Sequence, residues 1–466
     1  MSKGPCRLAS FIPFLIGATV LVVMAAAPCR AADGDRPNIV IILADDMGYG
    51  DASCYGGSSF QTPHIDRLAD EGMRFTDFHS NGAVCSPTRA ALLTGRYQQR
   101  SGIAGVVFAD PKRNRHHGLQ AEAENTFAEL LKTAGYATGA FGKWHVGYEK
   151  QYNPVHHGFD VFRGYVSGNV DFANHLDGMG IFDWWHNLEL DRDDRGYTTH
   201  LITKHALAFI EQHRDRPFCL YLPHEAPHYP YQGPNDPPLR KEGVPGQAGG
   251  LWNDREPKHM KRAYIEMMTE LDRSVGAVVH KLRELKLERR TFVFFFSDNG
   301  ATGPGSCGGL RGRKGSLWEG GHRVPAVAWW PGRIKRRSTS AELCMGMDLM
   351  PTMLDLAGVS APRERSLDGV SLLPVMLQGA KLGPRKVFWE HGNQQAMRHG
   401  KWKLVRGIKG VKGAGLFDLE ADRAEQGNLA TEQADRVRQM LGELEAWKAD
   451  VSRGATPQPQ KPQAKE

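Results

Sequence analysis

The stretch Asn38-Ile39-Val40-Ile41-Ile42-Leu43, followed by Ala44-Asp45-Asp46, decides the fold of this 466-residue chain. Its apolar run is continuous and rich in β-branched residues, which is typical of a strand buried on both faces of a parallel sheet. Ligands of open α/β sheets bind outside the carboxyl ends of the strands. The acidic pair at the end of this strand therefore predicts a polar site at that edge.

Four more apolar segments predict further strands of the same sheet, at residues 137–141, 218–222, 291–296 and 324–330. Amphipathic segments between them predict helices at residues 63–71, 125–134 (with Asn125 as the cap), 198–213, 258–287 and 347–356. Alternating strands and helices predict an α/β fold, in which helices flank a large, mostly parallel or mixed sheet. We expect this larger domain to span residues 33–362.

The character of the sequence changes after about residue 362. Short strand-like segments at residues 387–390, 396–398 and 401–406 precede a polar helix at residues 431–449. They predict a small α+β domain over residues 363–453 that contains a short antiparallel sheet. Residues 454–466 are rich in Pro, Gln and Lys, and we expect this tail to be disordered because it has too little apolar content to fold.

Residues 1–32 have the features of a cleaved secretory signal peptide. Lys3 and Arg7 precede an apolar run over residues 11–27, and small residues follow it. An N-terminal membrane anchor is the alternative, because the run approaches the ~18 residues that a spanning helix needs. Pro13 and the small residues before Asp33 favour cleavage, so we expect a periplasmic or secreted protein without a stable membrane anchor.

The formal charge of the chain is +7, of which Lys3, Arg7 and Arg30 in the leader contribute three units, so +4 remains on the mature chain. This modest excess is compatible with anionic substrates. No stripe of basic and aromatic residues indicates a nucleic-acid partner.

Besides Cys85, discussed below, the mature chain has four cysteines: Cys54, Cys219, Cys307 and Cys344. An oxidising compartment permits disulfides among them, but their spacing shows no scaffold pattern. We predict that they are unpaired.

Two of the predicted strands end in oxygen ligands. Asp45 and Asp46 follow the first strand, and Asp298 and Asn299 follow strand 291–296. Carboxylate and amide oxygens suit calcium or magnesium rather than zinc. Either pair alone could be an acidic surface turn, but two pairs after buried strands favour a metal site.

Two other strand ends supply cations and candidate proton-transfer groups. Lys143 and His145 follow strand 137–141, and His228 follows strand 218–222. Each histidine alone is more often a packed or surface residue than a catalyst, so their convergence is the evidence. The long Gly-rich loop 300–321 carries Lys314, and a loop of this length in a compact domain is more often functional than not.

The segment Cys85-Ser86-Pro87-Thr88-Arg89 predicts the start of a helix that Gly95 ends. Cys85 and Arg89 share one face, so the free N–H groups of the helix and a guanidinium surround the side chain at position 85. This arrangement predicts an anion site that contains a reactive group. A thiolate there could itself be the nucleophile, and a buried structural cysteine is the alternative.

In order along nearly the whole chain, these motifs resemble those of the formylglycine-dependent sulfatases, of the arylsulfatase and carbohydrate sulfatase type, in the alkaline-phosphatase-like superfamily. The matching segments are residues 45–51, 85–96, 142–145, 226–228 and 297–300, Lys314 with residues 318–321, and, in the smaller domain, residues 398–404 and 416–419. The most specific is Cys-x-Pro-x-Arg at residues 85–89 with its Leu-Thr-Gly-Arg extension.

The resemblance implies that a formylglycine-generating maturation enzyme oxidises Cys85 to formylglycine (3-oxoalanine). One hydroxyl of its hydrate would bind calcium and attack sulfur. The other would then allow the covalent sulfo-enzyme intermediate to break down as the aldehyde reforms. The residues implied to hold this single calcium ion are Asp45, Asp46, Asp298, Asn299 and the modified Cys85.

The resemblance also implies roles for the cations and histidines. Lys143, Lys314 and Arg89 would neutralise the sulfate. His228 or Lys314 would assist departure of the alcohol, and His145 would take a proton from the remaining hydroxyl group.

The substrate implied by the resemblance is a sulfated carbohydrate or an aryl sulfate. Ser167, in loop 165–171, resembles a residue on the sulfate side, and it joins Lys143, His228 and Lys314 as a predicted substrate-binding residue. Together with residues 174–175 and 184–186 the loop could form a sugar platform, and an ordinary packed loop is the alternative.

Two other functions are compatible with these motifs. One is a hydrolase of phosphate or phosphonate esters from the same superfamily, although the calcium ligands and Pro87 favour sulfate. The other is a non-catalytic binder of sulfated glycans, if Cys85 stays unmodified.

Overall fold

The computed structural model describes residues 1, 4, 36–57, 59–246 and 257–458. The predicted signal peptide, apart from residues 1 and 4, and residues 459–466 of the predicted tail lie outside the described residues. Within the described ranges, no helix has the length and apolar character needed to cross a membrane.

The strands, in chain order, are β1 (Asn38–Ala44), β2 (Met73–Phe75), β3 (Phe78–His79), β4 (Ala137–Lys143), β5 (Val161–Tyr165), β6 (Trp185–His186), β7 (Glu189–Leu190), β8 (Phe218–Pro223), β9 (Thr291–Ser297), β10 (Ala326–Trp329), β11 (Ser338–Ser340), β12 (Cys344–Met345), β13 (Lys386–His391), β14 (Gln394–His399), β15 (Trp402–Arg406) and β16 (Ala414–Asp418). The α-helices are α1 (Pro63–Glu71), α2 (Cys85–Thr94), α3 (Phe127–Lys132), α4 (Thr198–Gln212), α5 (Pro257–Glu284), α6 (Glu319–His322), α7 (Leu349–Ala357), α8 (Leu373–Gln378) and α9 (Ala434–Ser452). Short 3-10 helices lie at Ser53–Tyr55, Lys150–Tyr152, Pro154–His157, Glu288–Arg290 and Gly346–Asp348.

A ten-stranded sheet forms the main body, in the order β11-β2-β10-β9-β1-β8-β4-β5-β6-β7. Strand β1 lies in the middle and runs parallel to both neighbours, β8 and β9, whereas β10 is antiparallel to β9. The sheet is therefore mixed, which confirms the predicted fold class. Because β1, β4, β8 and β9 are parallel, their carboxyl ends meet at one edge.

Both faces of the central strand are covered by helices. Ile39, Ile41 and Leu43 belong to a core that includes residues of α2, α3 and α7. Val40 and Ile42 face a second core with residues of α1, α4 and α5. Every residue of β1 is buried, as its continuous apolar run predicts.

The predicted helix 125–134 is shorter in the structure, and its cap is wrong. Helix α3 begins at Phe127 with Thr126 as the N-cap. The Glu129 backbone N–H donates to Thr126 Oγ1 (3.3 Å), and the Thr126 N–H donates to the Glu129 carboxylate (2.7 Å). This reciprocal capping box satisfies two donors, which a cap at Asn125 would leave unpaired.

After the main sheet, β13 to β16 form a four-stranded antiparallel sheet on which α9 packs. The antiparallel sheet confirms the predicted architecture of this region, and β16 is a strand that the sequence did not predict. In this core Trp447 of α9 stacks on Phe388 of β13, with ring centroids 5.0 Å apart.

The start of the predicted tail is packed. Thr456 is 6% exposed, its N–H donates to the Arg100 carbonyl (2.7 Å), and its hydroxyl donates to Glu124 (2.6 Å). The prediction of disorder from residue 454 is therefore wrong for residues 454–458, because a polar residue can be fixed by hydrogen bonds without an apolar run.

Candidate active site

The predicted oxygen ligands meet at the carboxyl edge of the sheet. Strands β1 and β9 pair in parallel with Ala44 opposite Ser297, which brings the residues after each strand together. The Asp46 backbone N–H donates to Asp298 Oδ1 (3.2 Å), and Asn299 Nδ2 donates to Asp46 Oδ1 (2.7 Å). All three side chains, together with Asp45, are fully buried.

This cluster fits a cation with oxygen ligands. Asp45 Oδ1 and Asn299 Oδ1 are buried and accept no hydrogen bond from the described residues. Buried oxygens of this kind normally have a partner, and carboxylate and amide oxygens are the ligands of calcium. His228 also comes close, because one atom each of Asp45, Asp46 and His228 lie within 4.8 Å of one another. Its nitrogen suits a hard cation less well than the oxygens do.

Two lysines form ion pairs with the carboxylates. Lys143 Nζ lies 2.5 Å from Asp45 Oδ2, and Lys314 Nζ lies 2.5 Å from Asp46 Oδ1. Burial alone would raise the pKa of Asp46, but the charge of Lys314, the nearby His228 ring and the hydrogen bonds from Lys314 and Asn299 together hold that pKa below its usual range. Burial raises the pKa of Asp45 despite the attraction of Lys143.

Arg89 connects helix α2 to the same cluster. Its Nε and Nη2 donate to Asp298 Oδ2 (3.2 and 2.9 Å), and its Nη1 donates to the Lys143 carbonyl (2.8 Å). Burial, with the neighbouring charge of Asp45, raises the pKa of Asp298 to about 6. The guanidinium fork therefore fixes one carboxylate and the end of β4 together.

Cys85 is the first residue of helix α2, and Gly95 ends that helix in the left-handed conformation, as predicted. The Cys85 side chain, 3% exposed, lines a cavity of about 490 Å³. His145, Ser167, His228 and Lys314 line the same cavity. The predicted nucleophile, both histidines and a lysine thus share one chamber beside the carboxylate cluster.

Each histidine in the cavity has one ring nitrogen fixed by a carbonyl. His145 Nε2–H donates to the Val107 carbonyl (3.0 Å), and His145 Nδ1 is buried with no partner among the described residues. His228 Nδ1–H donates to the Tyr229 carbonyl (2.6 Å), and its Nε2 lies 3.7 Å from Asp46. Burial lowers both pKa values well below the usual range, so both rings are neutral with a free lone pair.

A buried carboxyl group holds the loop that carries Ser167. Asp183 accepts hydrogen bonds from the backbone N–H groups of Val166 (3.1 Å) and Ser167 (2.8 Å) and from Trp185 Nε1 (2.7 Å). Ser167, Gly168 and Asn169 line the cavity. Burial raises the pKa of Asp183 to about 6.

The predicted sugar platform is wrong for Trp184. Trp184 is fully buried and stacks on His175, with ring centroids 4.6 Å apart. Asn174 and His175 line a separate cavity of about 370 Å³. Trp184 and His175 pack the protein, and residues 174–175 and 184–186 lie outside the lining of the catalytic cavity.

The sequence did not indicate several residues of the site. Thr302, whose hydroxyl donates to Asp46 Oδ2 (3.0 Å), follows Asn299 by three positions in the Gly-rich loop, and that proximity was the available signal. Residues 106–110 form one wall of the cavity without any motif. Asp46 and His145 have φ angles of 68° and 59°, which are uncommon outside glycine and are enriched at functional sites.

All five cysteines in the described part of the chain, including Cys85, are free. The prediction that the other four are unpaired is confirmed.

Comparisons with known proteins show the family of this chain. The family model described as "Sulfatase" matches residues 37–359, and that described as "N-sulphoglucosamine sulphohydrolase, C-terminal" matches residues 313–450. The N-acetylgalactosamine-6-sulfatase of Canis lupus familiaris is 36% identical over 424 residues, which cover 83% of this chain and 75% of the relative. Arylsulfatase A of Bos taurus is 33% identical and covers 94% of this chain and 92% of its own length.

A crystal structure of Ps i-CgsB in complex with k-i-k-neocarrahexaose superposes with a TM-score of 0.79 at 27% identity, over 90% of this chain and 94% of the other. The fold and site thus define a member of the alkaline-phosphatase-like class of hydrolases. Within that class the chain belongs to the sulfatase family, and it is a sulfatase.

Proposed function

We propose that this sulfatase removes sulfate from a sulfated carbohydrate, with formylglycine made from Cys85 as the nucleophile and one calcium ion beside it. The observation that carries the proposal is the position of Cys85, at the start of helix α2 and in the wall of a cavity that adjoins four buried oxygen ligands. The similarity to an N-acetylgalactosamine-6-sulfatase supports a carbohydrate substrate.

Asp45, Asp46, Asp298, Asn299 and residue 85 would hold the calcium ion. When bound, calcium would supply positive charge against a sulfate oxygen and the nucleophile. Formylglycine would supply a hydrated aldehyde in place of the thiol.

The remaining residues position the sulfate and move protons. Lys143 and Lys314 place two ammonium groups beside the carboxylates, where they would compensate the charge of the ester. Arg89 fixes Asp298 and thereby the geometry of the ligand set. The free Nδ1 lone pair of His145 suits acceptance of a proton from a hydroxyl group at position 85.

His228 and Lys314 are the candidates to assist the departing alcohol, since both line the cavity. Ser167 lines the same cavity and would contact the substrate. We further propose that the chain is exported to the periplasm or secreted, and that a formylglycine-generating enzyme acts on it first.

Mass spectrometry of the tryptic peptide of residues 75–89 tests the modification. Conversion of Cys85 lowers the peptide mass by about 18 Da, whereas an unshifted peptide from active protein would exclude formylglycine as the nucleophile. An unshifted peptide from inactive protein that still binds sulfated glycans would favour the non-catalytic binder.

Rates on matched esters test the reaction. We expect sulfate release from sulfated saccharides and from 4-nitrophenyl sulfate, with far slower hydrolysis of 4-nitrophenyl phosphate. Faster hydrolysis of the phosphate ester would assign the protein to phosphate or phosphonate chemistry instead.

A further inference from the structure

The cavity wall formed by residues 106–110 is fixed from the catalytic side. The Val107 backbone N–H donates to Ser86 Oγ (3.1 Å), next to Cys85, and the Val107 carbonyl accepts from His145 Nε2 (3.0 Å). These two hydrogen bonds connect Val107 to His145 and to the residue that follows Cys85. Phe108, the next residue, therefore has a defined position relative to the nucleophile.

Two guanidinium groups lie over the ring of Phe108. Arg113 Cζ lies 4.8 Å from the centroid of the Phe108 ring, and Arg115 Cζ lies 5.3 Å from it. Backbone bonds close the loop, because the Arg113 N–H donates to the Asp110 carbonyl (3.0 Å) and the Phe108 N–H donates to the Arg115 carbonyl (2.9 Å). Arg113 lines the same cavity as Cys85 and is exposed, and the Phe108 ring holds its guanidinium there.

The charge of Arg113 is not compensated locally. Among the described residues, no carboxylate lies within ion-pair distance of Arg113, Arg115 or the neighbouring Lys112, and all three are exposed. Asp110 is the single carboxylate of this loop, and its Oδ1 accepts the Lys112 N–H (2.9 Å). The inner cations, by contrast, contact buried carboxylates. An unpaired guanidinium held by an aromatic ring suits an anionic group that arrives with the substrate.

We propose that Arg113 forms a second anion subsite, which binds a carboxylate or a further sulfate on the sugar next to the one that is desulfated. The proposal rests on the proposed carbohydrate sulfatase function and narrows its substrate to polyanionic glycans. Arg113 is a specificity residue here, because it contacts the neighbouring sugar and not the reacting ester.

Three disaccharides that share one sulfated hexosamine test the subsite. In the first disaccharide the hexosamine is joined to a uronate. In the second the carboxyl group of that uronate is reduced to an alcohol. In the third the hexosamine is joined to a sulfated neutral sugar. In the wild type we expect a KM roughly tenfold lower for at least one anionic disaccharide than for the reduced one, as one charge-assisted contact predicts. The disaccharide with the lower KM identifies the anion.

Arg113→Gln should remove this preference while kcat and the hydrolysis of 4-nitrophenyl sulfate stay within about twofold, since this aryl ester has no second anion. Lys112→Gln is the matched control, because Lys112 is an exposed cation of the same loop that does not line the cavity. Equal preferences in Arg113→Gln and the wild type, or equal effects of both substitutions, would overturn the proposal.

Binding to Cys85→Ala protein, measured by calorimetry, separates this proposal from the proposed function. If the subsite exists, Arg113→Gln in this background weakens the anionic disaccharide roughly tenfold and leaves the reduced one unchanged. This binding result would support the subsite even if the wild type released no sulfate. Absence of sulfate release would refute only the proposed function. Unchanged binding of every disaccharide would refute the subsite whatever the activity.

Discussion

Lys403→Met should destabilise the protein strongly, because Lys403 joins the four-stranded sheet to the active-site loop through buried charges. Its Nζ lies 2.9 Å from Glu319 Oε1 and 2.8 Å from Glu425 Oε1, and all three side chains are fully buried. Removal of the Lys403 ammonium leaves Glu319 and Glu425 without the positive charge that both contact. Glu319 keeps its contact with Arg323 (3.0 Å), whereas Glu425 keeps, among the described residues, only the backbone N–H of Glu319.

Breaking a buried ion pair on one side costs about 3–5 kcal/mol, and we expect Lys403→Met to lower the free energy of unfolding by that amount. Burial already raises the pKa of Glu425, and loss of Lys403 would raise it further. The variant should therefore recover part of its stability at acidic pH, where Glu425 binds a proton. The double variant Lys403→Met/Glu425→Gln should recover part of the lost stability at neutral pH.

Urea unfolding followed by tryptophan fluorescence measures this effect, and Lys401→Met is the matched control. Lys401 lies two positions before Lys403 in the sequence. It pairs with Asp418 (2.6 Å), but the Lys401 side chain is 40% exposed. A solvent-exposed ion pair adds little to stability, so Lys401→Met should change the free energy of unfolding far less than Lys403→Met. Equal destabilisation by both substitutions would refute the assignment of a buried charge network.

Three further outcomes follow from the site. Cys85→Ala should abolish sulfate release yet change the free energy of unfolding by less than about 1 kcal/mol, since it shortens one small side chain that borders a cavity; near-normal turnover would contradict the mechanism. Chelation with EGTA should abolish turnover and added calcium should restore it, whereas full activity after exhaustive chelation would exclude a metal role for Asp45 and Asn299. Because burial raises the pKa of Asp183 to about 6, its protonation stabilises the folded state fully below about pH 4 and progressively less as the pH rises through 6. The free energy of unfolding should thus fall more between pH 5 and pH 7 in the wild type than in Asp183→Asn, and identical pH profiles in urea unfolding would contradict the assigned pKa.

The sequence predicts the middle of the ten-stranded sheet because β1, β8 and β9 are continuous apolar runs, and it misses the shorter strands toward both edges. In β1 and β9 every residue is buried, so the pattern leaves no competing interpretation. The convergence of Asp45 and Asp298 followed from topology alone, since parallel strands end at one edge.

The parts that escaped prediction depend on contacts between distant segments. Residues 106–110 have no motif, and only the bonds of Val107 to Ser86 and His145 bring them to the cavity. Trp184 was assigned to a sugar platform because composition cannot tell a packed aromatic ring from an exposed one. The partners Glu319, Lys403 and Glu425 are too far apart in sequence for any local pattern to indicate their contact.

All ten residues of helix α2 are buried, so the proposed maturation of Cys85 would have to come before folding. An enzyme that converts Cys85 would need the Cys-x-Pro-x-Arg segment as an accessible peptide, a state that ends when α2 closes over the sheet. Under this proposal conversion and folding would compete, and each newly made chain would have one interval in which it can mature. A host that lacks the maturation enzyme would accumulate well-folded protein that stays inactive, and later addition of that enzyme would activate only chains that unfold again.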